Sequence, residues 1–294
     1  MPRNHLVTTN ELPDFLINST TRREGPSYNF FKQIFMRSVL WLAVVVMAGI
    51  SNSWAQATDL VLIKASHHPM QYYLSVPKGW NASRKWPVVV VLEAAEKDFK
   101  ANAERFISTR GDLPFIIVAP INTNNGNAGR RDASLFPYSN ETWDYMDKVG
   151  DCQFNDEGLV NIIADVAAHN NGESKVYLTG FEAGTHVLWS MVFNHPEVLM
   201  AAMPVAGNWR NRCFVEEHIT TDPAKKEFPI HSIVGELDEY FGPKGGNYVQ
   251  WTAVRDLASS HGYQNISEVV IPKKGHAPMP EEVWKYLMAL IGKK

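Results

Sequence analysis

Three short segments carry residues whose types could do chemistry together. Gly180-Phe181-Glu182-Ala183-Gly184 joins an apolar run to a helical pattern and places a carboxylate between two glycines. Gly235-Glu236-Leu237-Asp238 ends another apolar run on a second carboxylate, and Gly275-His276 ends a third on an imidazole. A sharp strand-to-helix turn presents its middle side chain, and the flanking glycines permit the strained backbone and close packing of helix on strand. In nucleophilic hydrolysis an acid orients a histidine, and the histidine takes the proton of a nucleophile on such a turn. That nucleophile is commonly a serine, in a Gly-x-Ser-x-Gly pattern; here the position is Glu182.

The elements that must position these segments follow from the apolar pattern. "DLVLIK" and "QYYLSV" alternate and are expected as two early, antiparallel strands. "WPVVVVLE" and "PFIIVAP" are nearly unbroken apolar runs, the form of central strands covered on both faces. A long Asn- and Gly-rich stretch, residues 121–152, is read as a loop. "FNDEGLVNIIADVAAHNNG" is expected as a helix capped by Asn155, with Leu159, Ile162, Ile163 and Val166 on one face and Gly172 ending it. "KVYLTG" is a strand and Ala183 to Asn194 the helix after the turn; "LMAAMPVAG", "FPIHSIVG" and "SEVVIP" are further strands. "YVQWTAVRDLASSHG" and "PEEVWKYLMALIG" complete the pattern as helices. Alternation of strands and helices predicts an α/β domain with a mostly parallel central sheet flanked by helices, and active groups at the carboxyl ends of its strands.

The order elbow, acid, histidine is that of the α/β-hydrolase fold. From about Leu60 onward the chain resembles exported α/β-hydrolase esterases, of the polyhydroxyalkanoate-depolymerase-like and feruloyl-esterase-like type. "YYLSVPKGWNASRKWPVVVVLE", "VYLTGFEAGTHVLWSMVFNHPEVLMAAMPVAG", "GELD" and "KKGHAP" carry the resemblance. It implies that Glu182 stands at the nucleophile position, Asp238 at the acid and His276 at the base. It also implies two oxyanion-hole donors, the backbone N–H groups of Ala183 and Ala94. Family members usually carry a His-Gly segment at the second of these; this chain has Glu93-Ala94. Carboxylates at Glu93 and Glu96 would oppose a developing negative charge there. Trp209 is expected at the pocket rim, and the ligand class implied is a small-molecule or polymer ester or carbohydrate-like compound.

Four readings of Glu182 follow. Attack on an ester carbonyl would give an anhydride, and loss of a triad serine typically costs on the order of a millionfold in kcat. The first reading is therefore a degenerate hydrolase that retains ligand binding. In the second, Glu182 is a working carboxylate nucleophile or base, as aspartates are in haloalkane dehalogenases and epoxide hydrolases. In the third, Glu182 pairs with a protonated His276 as a salt-bridged relic. The fourth gathers Glu93, Glu182, Asp238 and His276 around a divalent ion; the spacing gives it little support, and no metal or cofactor is assigned.

Composition limits the remaining choices. The 294 residues are 45% hydrophobic with a net charge of -3, enough for one large domain and without the basic stripe a nucleic-acid partner requires. Lys32 and Arg37 precede the apolar run Val39 to Ile50, and Ser53 and Ala55 follow it. That order is the signature of a secretory signal peptide, and the run is shorter than the roughly 20 residues of a membrane span. The expected organisation is an upstream segment over residues 1–35, a signal peptide over 36–55 and an α/β-hydrolase-like domain over 56–294. The mature protein is expected outside the cytoplasm, with no stable membrane insertion. There Cys152 and Cys213, the only two cysteines, are expected to form a disulfide. His67 and His68 are expected to be solvated in a turn, and His186 to pack.

Overall fold

The computed structural model describes residues 60–123 and 131–292. The expected upstream segment (1–35), the expected signal peptide (36–55) and the first residues of the expected domain lie outside the described residues.

Strand β3, Val88–Leu92, is the centre of the molecule: all five residues are buried, and β-branched side chains fit a pleated surface covered on both sides. Its alternate residues serve two cores. Val88, Val90 and Leu92 face one apolar cluster, and Val89 and Val91 face the other. The remaining strands are β1 (Val61–Lys64), β2 (Gln71–Ser75), β4 (Ile116–Pro120), β5 (Val176–Phe181), β6 (Leu199–Val205), β7 (Ile230–Gly235) and β8 (Ile266–Ile271). They form one eight-stranded sheet in the order β1-β2-β4-β3-β5-β6-β7-β8. β1, β2 and β4 pair antiparallel, as expected for the first two, and every other pairing is parallel.

The helices are α1 (Phe99–Arg110), α2 (Asn140–Val149), α3 (Asp151–His169), α4 (Thr185–Asn194), α5 (Tyr248–Ser260) and α6 (Pro280–Ile291). Apolar residues of α2 to α5 cover one face of the sheet. Phe106 of α1 and Val283, Trp284 and Leu287 of α6 cover the other. Among the described residues no helix is long and apolar enough to cross a membrane.

Several local expectations change. Helix α3 begins at Asp151, so Asn155 is not its cap. Asn155 is buried inside the helix, and its Oδ1 accepts from the Thr123 N–H at 3.1 Å. Part of the expected loop is helix α2, whose start Ser139 caps by accepting from the Thr142 N–H. Trp143 and Met146 turn that helix inward. The helix after the elbow begins at Thr185, preceded by one 3-10 turn over Glu182–Gly184. His68 is buried, not solvated: its ring lies 4.6 Å from Phe154, and burial lowers its pKa. The disulfide Cys152–Cys213 is present, with 5.0 Å between the Cα atoms. It ties the start of α3 to the segment after β6.

Candidate active site

The chain leaves β3 through α1 on one face of the sheet to reach β4. It then crosses by α2 and α3 on the other face to β5, on the far side of β3. Connections that diverge in this way open a crevice outside the carboxyl ends of the two strands. Glu93-Ala94 follows β3 and Glu182-Ala183 follows β5, so the sheet topology brings these two segments to that crevice. Gly184 holds them together. A Cβ at that position would lie 2.6 Å from the Glu93 carbonyl oxygen and 2.9 Å from that of Leu92.

The acid and histidine segments meet at the ends of β7 and β8. His276 Nδ1 and Asp238 Oδ2 are 2.9 Å apart. The other carboxylate oxygen of Asp238 accepts the Tyr240 and Phe241 N–H groups, each at 2.9 Å. The Asp238 side chain is fully buried, whereas the His276 ring is 24% exposed. A carboxylate can only accept, so a hydrogen bond across this contact takes its proton from Nδ1 and leaves Nε2 on the far side of the ring. Phe181, Tyr240 and Phe241 surround the ring, with centroids 4.8, 5.3 and 5.7 Å away. Gly235 permits the two loops to meet, since a Cβ there would lie 2.5 Å from the Gly275 carbonyl oxygen.

Glu182 adopts φ +45°, a conformation that side-chain-bearing residues seldom take, at the sharp turn expected for a presented group. The expected salt bridge to His276 does not form. Glu182 Oε1 accepts from Asn208 Nδ2 at 2.7 Å, and Oε2 accepts from the Ala183 N–H at 2.5 Å. The carboxylate thus bends back onto its own turn, because two neutral donors there satisfy it locally. Thr185 braces the arrangement. Its Oγ1 accepts the Asn208 N–H at 2.8 Å and lies 2.6 Å from the Glu182 carbonyl oxygen.

Glu93 is 3% exposed. Burial pushes its pKa up to about 7, opposed by the charge of Arg105 and assisted by Glu96 and Asp98. The Ala94 backbone amide also works against that rise.

The other candidate residues have plainer surroundings. Trp209 is half-buried, with its ring 5.9 Å from Phe214 and its backbone N–H donating to Gln250 Oε1 at 2.9 Å. His186 is buried as expected for packing; burial, then the charges of Arg212 and Arg210, lower its pKa to about 4. Among the described residues no group of three or more His, Cys, Asp or Glu could hold a metal ion, so the four-ligand arrangement is not assembled. Asn208, the partner of Glu182, was not foreseen. Its only sequence signal is its place just past the strand end "PVAG", beside the more conspicuous Trp209.

Strand order and the helical cover on both faces define an α/β-hydrolase fold, and the chain is related to carboxylic-ester hydrolases. It is 26% identical over 175 residues to poly(3-hydroxyalkanoate) depolymerase C of Paucimonas lemoignei, a match covering 59% of this chain and 40% of the relative. The chain thus matches less than half the length of that curated relative. Solved structures share the fold at lower identity. A poly(3-hydroxybutyrate) depolymerase from Bordetella parapertussis is 18% identical, with a TM-score of 0.53 over 79% of this chain and 89% of that one. A poly(aspartic acid) hydrolase-1 from Sphingomonas sp. KT-1 is 11% identical, with a TM-score of 0.53 over 78% and 97%. No family model matches the chain.

Proposed function

We propose that this is an exported α/β-hydrolase-fold protein whose serine-esterase chemistry is silent. In this reading its strand-end crevice binds a small-molecule or polymer ester or carbohydrate-like ligand. The observation that carries the proposal is the position of Glu182, at the turn where a nucleophile belongs. Its carboxylate is directed to Asn208 and Ala183, while His276 pairs with Asp238. A nucleophile needs its base within hydrogen-bonding reach, and a carboxylate held on two donors of its own turn is aimed elsewhere. Asp238 and His276 keep the acid–base geometry, so the frame of the reaction is retained and the attacking group is not. The polyester depolymerase relative supports an ester or polyester ligand. Export is supported by the charged, apolar and small residues in order over residues 36–55 and by the disulfide.

The test is hydrolysis of short-chain p-nitrophenyl esters by wild type, Glu182→Ser and His276→Ala. Wild type is expected to be silent and Glu182→Ser to gain turnover. If wild type hydrolyses the ester and loses the activity in His276→Ala and, as a fourth protein in the same assay, in Glu182→Ala, Glu182 is a working carboxylate and the proposal fails.

A further inference from the structure

Glu182 is a half-buried carboxylate held by neutral groups alone. Asn208 Nδ2 and the Ala183 N–H take its two oxygens, and among the described residues no lysine, arginine or histidine forms an ion pair with it. Arg210 and Arg212 follow Asn208 in the same loop, but both are exposed, and their charges are felt at His186. The amide that holds Glu182 brings a second acceptor. Asn208 is 4% exposed, and its Oδ1 has no donor among the described residues. His276 brings a third. With its Nδ1–H toward Asp238, the neutral ring carries a lone pair and no proton on Nε2. Phe181, the neighbour of Glu182 in the chain, packs its ring 4.8 Å from that imidazole. Tyr240, 50% exposed, packs 5.3 Å from it.

We propose that the crevice takes a primary ammonium group of its ligand, which completes the ion pair that Glu182 lacks. The ammonium site rests on the binding crevice of the proposed function and gives its ligand a charge. An ammonium is all donor, with three N–H groups and no acceptor. The Glu182 carboxylate and the His276 Nε2 lone pair are all acceptor, so the two sets match. A carboxylate bonded only to neutral groups keeps its charge, and partial burial strengthens its attraction for a cation relative to water. Asn208 Oδ1 adds a partial negative charge beside it. The aromatic rings around His276 favour a cation further. An ester carbonyl fits this arrangement poorly, because it can only accept and the Ala183 N–H is already engaged by Glu182 Oε2. A hydroxyl can donate once but brings no charge.

The experiment titrates the protein at pH 8 with hexylammonium, hexanol and hexanoate, three probes of one chain length, by calorimetry and NMR. Wild type is expected to bind hexylammonium about tenfold more tightly than hexanol, and hexanoate least. The resonances that shift should centre on Phe181, Glu182 and His276. Added salt should weaken the ammonium and leave the alcohol unchanged. Glu182→Gln and Glu182→Ser, each checked for folding by circular dichroism, should bind the ammonium no better than the alcohol. Tyr240→Leu should lose roughly two- to fivefold for the ammonium alone. Equal affinity for ammonium and alcohol in wild type, or no binding of either, overturns the ammonium site. So does a preference that survives both Glu182 variants or maps away from the elbow. The ester assay keeps the two readings apart. Gain of turnover in Glu182→Ser with no ammonium preference in wild type removes the ammonium site and leaves the silent-esterase reading in place. A wild type that prefers the ammonium and also hydrolyses esters through Glu182 overturns the silence and leaves the ammonium site standing.

Discussion

Glu93 shows how one buried side chain links the site to stability. Its ordinary pKa of 4.5 applies to the unfolded chain, and burial raises it to about 7 in the folded one. The folded state therefore holds the proton more tightly, and its advantage is full below pH 4.5. As pH rises from 4.5 to 7 the unfolded chain ionises while the folded one resists, so stability is lost across that window. The loss is on the order of 3 kcal/mol. Glu93→Gln is expected to unfold at nearly the wild-type urea midpoint at pH 4 and at a clearly higher one at pH 8. Parallel midpoints at both pH values would show that Glu93 is not held in its protonated form by burial. His186 shifts in the opposite direction, down to about 4, because burial penalises its cation; it thus acts as a neutral packing group at neutral pH.

At the scale of elements, the crevice exists because a turn after β5 touches a turn after β3. Gly184 has an ordinary helical φ of -61°, so its role is space rather than conformational freedom. Gly184→Ala would drive a Cβ into the backbone carbonyls of Leu92 and Glu93, which cannot rotate aside as a side chain could. A loss of roughly 1–3 kcal/mol is expected from such overpacking, read as a lower denaturant midpoint. Gly246→Ala, where a Cβ meets open space, is the control and should leave the midpoint unchanged. The central strands were legible because each is an apolar run, and β1 and β2 because their apolar and polar residues alternate. Helices α1 and α2 were less so. Helix α1 buries only Phe99, Ala103 and Phe106 among its apolar residues, and Asn102 and Arg110 share its inner face, so its stripe is interrupted. Helix α2 lies within an Asn- and Gly-rich stretch and was read with it as loop, although Ser139 and Trp143 mark a cap and an inward face. Asn155 shows the reverse error, since a residue type that favours caps is used here as a buried acceptor for a loop N–H.

Across the whole molecule, one sheet divides two apolar cores, and one covalent bond ties a distant loop to the frame. The disulfide joins residues 61 positions apart, which in chain-entropy terms corresponds to about 4 kcal/mol of stability. It anchors the segment after β6, in which Ala206, Asn211 and Cys213 all take positive φ and which carries Asn208, the partner of Glu182. The Cys152→Ala/Cys213→Ala variant is expected to melt well below wild type in calorimetry. An unchanged Tm would mean that packing and the hydrogen bonds of Ser190 and Asn194 to the Cys213 carbonyl hold the loop without the bond.

The types of the groups at the strand ends were determined by the sequence alone: a carboxylate between two glycines, then an acid, then a histidine, each after an apolar run. So was the α/β architecture, because strand and helix periods are local properties of side-chain order. The partner of each group was decided only by the tertiary structure. Asp238 meets His276 as their order implied. Glu182, which the sequence could as well have paired with that histidine, lies instead on Asn208 and its own neighbour's N–H. Pairing depends on which neutral donors a folded turn places within 3 Å, and residues 26 positions apart come that close only when the ends of β5 and β6 lie side by side.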